Sequence, residues 1–257
     1  MEYSQEQQFL LCYAPYQIKD YVIKPRTYEE IPDFEPDKPY LRTLAFQVDQ
    51  KRTEDPLVGA KLAGKEILTN LLNWMKTDRG VHAESLLAVL GALGGTEISR
   101  GIMQAAKSIT QPMSLFGLGI MIVDANDGQR YLLGDRPANE TVSFCFTAMR
   151  DRLDIEKYFK PLSEKTAASV GTAAFWDTPY QNMVGKNPKE LAALFHGKFE
   201  FSFSVYTRFP QERMLAYAIA AQQAVVQTDG VLEWDTALGI LSEYAWKTSH
   251  YIWGDEA

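Results

Sequence analysis

Arg79, His82 and Glu84 place three side chains capable of chemistry within six positions of one another. An imidazole near a carboxylate is suited to acid–base catalysis, since histidine exchanges protons near neutral pH. These residues precede a long apolar segment, and the start of a helix would attract an anion there, with Arg79 adding to the attraction. The simpler interpretation is a polar cluster at a helix start, with Glu84 placed in the first turn by the helix dipole.

The spacing His82-Ala-Glu84 resembles the histidine and glutamate of zinc deaminases. Those enzymes complete their metal site with a Cys-x-x-Cys pair, which this chain lacks. The three histidines, His82, His196 and His250, are isolated in the sequence, and no His-x-x-x-His pair occurs. The sequence therefore predicts no metal site and no cofactor, and the alternative it leaves open is a zinc site assembled in space from distant residues.

Asp135, Arg136 and Asn139 form a second polar cluster, directly after a predicted strand. Loops that follow strands often carry functional sites. Alternatively, Asp135 and Arg136 pair with each other and Asn139 caps the next helix. The two clusters supply all the candidate residues: for catalysis His82, Glu84 and Asp135, and for ligand binding Arg79, Arg136 and Asn139.

The string from Gly59 to Lys65 matches the spacing of a phosphate-binding loop up to its last position. No buried strand precedes it, and Glu66 stands where a magnesium-binding hydroxyl is needed. We therefore predict that it binds no nucleotide.

Small residues lie four positions apart in two pairs, Gly59 with Ala63 and Gly91 with Gly95, and this spacing favours close packing against another helix. Gly-x-Ser-x-Gly, Ser-x-x-Lys and Gly-x-Gly-x-x-Gly strings are absent from the sequence.

The strongest helical periodicity runs from Leu57 to Lys76 and again from Val81 onward. The second segment is apolar on nearly all sides around Leu86, Leu90 and Leu93, which predicts the centre of the core. Further helices are predicted near Asn139, at Pro188 to Phe195, after Pro210 and from about Asp235. The region from 161 to 188 is expected to form loops around a short helix.

Alternating apolar residues predict strands elsewhere, and Asp124 to Gln129 reads as the turn of a β-hairpin. The predicted strands are Ile18 to Ile23, Leu41 to Val48, Leu115 to Val123, Arg130 to Gly134 and Lys198 to Thr207. The last is the clearest, because Phe199, Phe201 and Phe203 alternate with polar residues. These elements predict a single helix-rich α+β domain over residues 1–257. Its small, mostly antiparallel sheet of about three to five strands packs against helices, and a proline-rich irregular segment covers about 24–56.

The net charge of −7 disfavours binding to nucleic acid, because a negative protein repels phosphate backbones. The longest apolar runs, Leu86 to Gly95 and Leu115 to Val123, are shorter than the roughly 20 residues that span a bilayer, so no membrane association is predicted.

Cys12 and Cys145 both lie in apolar settings. They are expected to be buried free thiols of a cytoplasmic protein.

Trp246 and Trp253 lie seven positions apart on the last predicted helix, on a face distinct from its core stripe. Such a face would be left in water in a monomer, which predicts self-association, most simply as a homodimer. With no catalytic motif found, the leading hypothesis is a non-enzymatic binding or assembly protein that forms a homo-oligomer. The alternative is an enzyme or small-molecule binder whose polar pocket gathers the candidates Arg79, His82, Glu84, Asp135 and Arg136.

Overall fold

The computed structural model describes residues 25–34, 38–107, 117, 119–149, 154–180, 185–208 and 210–254. Within these ranges the chain forms nine α-helices, two short 3-10 helices and one β-hairpin. The α-helices are α1 Pro39–Lys51, α2 Val58–Trp74, α3 Ala83–Lys107, α4 Asp135–Met149, α5 Ile155–Ser169, α6 Pro188–Phe195, α7 Glu200–Tyr206, α8 Pro210–Gln227 and α9 Trp234–Ser249. The strands are β1 Met121–Asp124 and β2 Arg130–Leu133, and the 3-10 helices are Tyr28–Glu30 and Ala173–Trp176.

Helix α3 is the centre of the fold. Every residue from Ser85 to Ser99 is buried, because α9 packs along one side of this helix and α8 along another. Leu86, Leu90 and Leu93 are at most 2% exposed, which confirms the predicted centre of the core. Helix α8 also packs against α2 and α4, so most of the helices share one hydrophobic core.

Glycines allow α3 and α9 to approach closely. A methyl group on Gly91 would lie 2.8 Å from the carbonyl oxygen of Leu241, and one on Gly95 would overlap the carbonyl of Ala245. Gly59 of α2 plays the same part, since a methyl group there would meet the Tyr206 carbonyl and the guanidinium of Arg52. The predicted use of these glycines in close packing is therefore confirmed. The Gly59 to Lys65 string lies inside α2, and its failure to bind nucleotides stays a prediction.

Several other elements match their predictions. β1 and β2 form the predicted antiparallel hairpin, with Met121 opposite Leu133 and Asp124 opposite Arg130. Helices α2, α3, α6, α8 and α9 lie where the periodicity placed them. The helix predicted near Asn139 is also present as α4, but it begins at Asp135. Asn139 therefore lies inside the helix, and its predicted role as a cap is wrong.

Two predicted strands are helices. Residues Lys198 to Thr207 contain α7, where Phe199 and Phe203 are buried against Tyr217 while Phe201 is 45% exposed. In so short a segment, phenylalanines two positions apart fit a strand and those four positions apart fit a helix. The buried pair, Phe199 and Phe203, is four positions apart, as in a helix. Leu41 to Val48 lies inside α1, so the predicted irregular segment 24–56 is wrong over that helix.

The sheet is smaller than predicted. The described residues contain one two-stranded antiparallel sheet, so a helix-rich α+β fold is confirmed and three to five strands are not. The strand predicted at Ile18 to Ile23 lies outside the described residues. The region from 161 to 188, predicted to be mostly loops, begins inside the longer helix α5 and continues to the 3-10 helix Ala173–Trp176.

Helix α5 covers Trp246, and the predicted helical face shared by Trp246 and Trp253 is wrong, because α9 ends at Ser249 and Trp253 lies beyond it. The indole nitrogen of Trp246 donates a hydrogen bond to Thr166 Oγ1 at 2.7 Å, and its ring packs against Phe159. Trp246 is only 3% exposed, so the prediction of a solvent-facing Trp246 is wrong. Trp253 is half-buried and stacks on His196. Self-association stays a prediction, and in this conformation Trp246 is not on the surface that would mediate it.

Helix α3 is also, among the described helices, the one long and apolar enough to span a bilayer. However, 89% of its apolar window is buried within the fold, as in the core helix of a globular domain. Cys145 is a buried free thiol, as predicted, whereas Cys12 lies outside the described residues. Burial alone raises the pKa of the Cys145 thiol far above its ordinary value.

Candidate functional site

The first predicted cluster lies at the start of α3. His82 Nδ1 accepts a hydrogen bond from the backbone amide of Ser85 at 3.3 Å and lies 2.9 Å from Ser85 Oγ. Glu84 occupies the first helical turn, and Arg79 is exposed in the turn before the helix. His82 thus acts as a helix cap, which matches the simpler interpretation of this cluster.

The second predicted cluster lies far from the first. Arg136 Nε donates to Glu140 at 2.8 Å rather than pairing with Asp135, while Asp135 and Asn139 are exposed. Arg136 lines the same cleft as Glu97 of α3. Glu97 is fifteen positions after His82, which places the two residues about 22 Å apart along a helix with a rise of 1.5 Å per residue. The structure therefore does not bring the two clusters into one pocket.

A different set of polar side chains does converge, and we call it the Glu97 cluster: Glu97, Arg100, His196, Glu200 and Arg213. Arg100 Nη1 lies 3.2 Å from Glu97 Oε1, 3.0 Å from His196 Nε2 and 3.3 Å from Glu200 Oε1. Arg213 Nη1 donates to Glu200 Oε1 at 3.0 Å. Glu97 of α3 and the pair His196 and Glu200 from a second segment thus surround one guanidinium nitrogen.

Local structure explains how His196 and Glu200 reach the cluster together. Helix α6 ends at Phe195, and His196 follows as its C-cap. Gly197 then adopts a φ of 83°, a left-handed conformation that glycine takes at little steric cost. The chain turns tightly and enters α7 at Glu200, so both side chains are delivered beside the middle of α3.

The Glu97 cluster combines opposite charges, and one of its members, Glu97, is buried. Glu97 is 5% exposed, and this burial raises the pKa of its carboxyl group, although Arg100 and Arg213 oppose the shift. Burial also raises the pKa of the neighbouring Tyr217 well above its usual value, and the charges of Glu97 and Glu200 raise it further. Two carboxylates and two guanidiniums offset each other in formal charge.

The raised pKa of Glu97 predicts a pH dependence of stability. A carboxyl group whose pKa is higher in the folded state binds more protons there, so its contribution to stability is lost as the pH rises through that folded pKa. We expect Glu97→Gln to flatten this decline above about pH 4.5, measured by urea unfolding across a pH series. Glu164→Gln, an exposed change on α5, should keep the wild-type slope. Equal slopes for Glu97→Gln and the wild type would contradict the prediction.

Glu97 also lines a cleft between α3, α4 and the start of α8. The cleft is small and partly open: the space that a water-sized molecule can occupy is about 20 Å³, little more than one water needs. Its other lining residues are Ile98, Gly101, Arg136, Glu140, Pro210, Gln211 and Met214. Burial raises the pKa of Glu140 as well, against the opposing charge of Arg136. Arg136 is thus the one candidate from the sequence that lines this cleft.

A second buried ionic cluster joins α1 to α7 and α8. Arg52 donates to Asp49 Oδ1 at 3.1 Å, to the carboxylate of Glu212 and to the carbonyl of Tyr206 at 2.6 Å. Asp49, Arg52 and Glu212 are at most 5% exposed, and these contacts bridge three helices. We assign this cluster to the stability of the fold.

Two features of the sequence are consistent with the Glu97 cluster, although neither is a recognised motif. Glu97 and Arg100 interrupt the most apolar helix, where an unpaired charge is costly and needs partners. His196 and Glu200 are four positions apart, a spacing that often brings side chains together. Neither signal identifies the other pair, because the two pairs lie about a hundred residues apart.

Comparison of the chain with family models, curated proteins and solved structures found no match. No relative therefore suggests a ligand or a reaction. The geometry of the Glu97 cluster and its cleft is the basis for the proposals that follow.

Proposed function

We propose that the protein binds a small polar molecule carrying an amino group in the cleft lined by Glu97, Arg136 and Glu140. The observation that supports this function is the presence of two carboxyl groups on facing helices, both removed from most solvent, at one cleft. A carboxylate accepts up to about four hydrogen bonds, so it can hold several donors at once. An ammonium group between the two carboxylates would gain charge-assisted hydrogen bonds.

The size and charge of the cleft narrow the ligand class. A space this small admits one ammonium group and is far below the roughly 300–1,000 Å³ of pockets for drug-sized ligands, so the rest of the ligand would lie at the open mouth of the cleft. The overall charge of −7 also favours cations over anions near the surface. Arg136 at the same cleft could receive a carboxylate or hydroxyl group of the same ligand.

Small-molecule binding is the alternative function predicted from the sequence, and it is proposed here at a cleft that includes Arg136 but none of the other four residues predicted for the pocket. An enzyme at the same cleft is the alternative, favoured by the raised pKa values of Glu97 and Glu140. A carboxyl group that stays protonated closer to neutral pH can serve as a general acid.

Thermal unfolding in the presence of small amines tests the binding proposal. Methylammonium, ethanolamine and glycine serve as probes, with sodium acetate as the anionic control. An amine at ten times its Kd should stabilise the protein by about 1.4 kcal/mol and raise the Tm by a few degrees. The Tm shift should be lost in Glu140→Gln and kept in Glu164→Gln.

Two results would count against this function. One is a Tm that none of the three amines raises above the acetate control. The other is an amine-induced shift of equal size in Glu140→Gln and the wild type, which would place the amine outside the cleft.

A further inference from the structure

We propose that Glu97, His196 and Glu200 form a site for one divalent metal ion of the zinc type, centred where the guanidinium of Arg100 lies. The proposed metal position differs from the amine position in the cleft, but Glu97 contributes to both. A metal site was not predicted from the sequence, because the histidines lack paired spacing. The structure joins His196 to two carboxylates that lie on other helices.

Convergence of the three ligand atoms on one point is the first support. The nearest oxygens of Glu97 and Glu200 and the Nε2 atom of His196 lie within 4.8 Å of one another. All three are 3.0–3.3 Å from Arg100 Nη1. Zinc bonds to nitrogen and oxygen are about 2.0–2.2 Å long, so each ligand atom would move inward by roughly 1 Å. The side chain of Glu200 is 44% exposed, which leaves it room for that adjustment.

The direction of the histidine lone pair is the second support. A guanidinium only donates hydrogen bonds, so His196 Nε2 must accept the bond from Arg100. The imidazole is therefore neutral at Nε2, with its lone pair directed at the proposed metal position. This is the form of histidine that binds metals. Stacking of the His196 ring on Trp253, at an interplanar angle of 7°, holds that orientation.

The ligand types fit a borderline metal. One imidazole and two carboxylates are nitrogen and oxygen donors that zinc accepts in tetrahedral sites. Three protein ligands leave a fourth position, which water can occupy. The two carboxylates neutralise the charge of the metal ion at a partly buried place, where an uncompensated charge would be costly.

Arg100 opposes the metal ion, and this opposition makes the proposal easy to test. The guanidinium and the metal compete for the same three acceptors, so zinc enters only as Arg100 swings away. The side chain of Arg100 is 26% exposed and can reach solvent. Arg213 adds a further repulsion because it contacts Glu200. Removing the competing Arg100 side chain should therefore strengthen metal binding rather than weaken it.

Calorimetric titration of the tag-free full-length protein with zinc chloride tests the site. We expect one zinc ion per chain with a Kd in the micromolar range. Arg100→Met should bind at least about tenfold more tightly, and His196→Ala and Glu200→Gln at least about tenfold more weakly. His82→Ala, which removes a histidine at the other end of α3, should leave the Kd unchanged. Titration with cobalt should produce the visible absorption of a tetrahedral site in Arg100→Met.

The outcomes separate this proposal from the amine proposal. Glu140→Gln should abolish the amine effect but keep zinc binding, since Glu140 is not a metal ligand. A wild-type protein that takes up no zinc at about 1 mM would overturn the site. So would zinc binding that keeps its wild-type Kd in both His196→Ala and Glu200→Gln. If His196→Ala proves unfolded by circular dichroism, the more exposed Glu200→Gln decides the result.

Discussion

Replacing Arg52 with methionine is expected to lower the free energy of unfolding by about 3–5 kcal/mol, because it leaves buried acidic groups without their main partner. Arg52 is 2% exposed and donates to Asp49, to Glu212 and to the Tyr206 carbonyl. Methionine retains much of the apolar volume of arginine, so the loss reflects charge and hydrogen bonding more than an open cavity.

The loss should fall mainly on Glu212 and Tyr206. Asp49 keeps a hydrogen bond from the Arg26 backbone amide at 2.6 Å and an ion pair with Arg26 Nε at 3.2 Å. Glu212 also accepts a hydrogen bond from the backbone amide of Arg208, a neutral donor that does not replace the charge of Arg52. A second substitution, Glu212→Gln, should therefore recover part of the stability lost in Arg52→Met.

Urea unfolding of the two single variants and the double variant measures these effects. Lys160→Met is the surface control on α5, since Lys160 pairs with Glu156 and the two side chains are 65% and 81% exposed. An exposed pair contributes about 0–1 kcal/mol, so this control should unfold near the wild-type midpoint. Equal losses for Arg52→Met and Lys160→Met would show that burial of the network contributes nothing.

The elements that the sequence predicted well are long or have a distinctive turn. Helices α2, α3, α8 and α9 extend over several turns, so a period of 3.6 stands out from chance. The hairpin has Asp127 and Gly128 at its turn, and Gly128 adopts a φ of 74°. In contrast, α7 spans seven residues, over which the alternation of Phe199, Phe201 and Phe203 fits a strand equally well.

The candidate site was harder to predict because its parts come from distant segments. The clusters around His82 and Arg136 were found because their members are neighbours in the sequence. The Glu97 cluster instead depends on Arg100 meeting His196 and Glu200, which lie 96 and 100 positions away. Spacing within one segment carries no information on such contacts until the packing of α3 against α6 is known.

Alanine at two glycines of α3 is expected to change stability in opposite directions. At Gly95 a methyl group would overlap the Ala245 carbonyl and the Thr248 hydroxyl of α9. The helices must then separate, which costs about 1–3 kcal/mol through overpacking. At Gly101, on the same helix, a methyl group would meet no atom of the described residues within 4 Å. Alanine there should stabilise the protein by up to about 1 kcal/mol, because glycine is the weaker helix former.

Gly91 lies at an intermediate distance from α9, so substitutions there test whether close contact between the helices causes the loss of stability. A methyl group there would lie 2.8 Å from the Leu241 carbonyl and 3.1 Å from Tyr244 Cβ, so alanine should destabilise and leucine should destabilise further. Urea unfolding midpoints of Gly91→Ala, Gly91→Leu, Gly95→Ala and Gly101→Ala give the comparison. If Gly95→Ala were as stable as Gly101→Ala, the close contact between α3 and α9 would be wrong. The opposite signs follow because helix propensity is the same at both glycines, and only the distance to α9 differs.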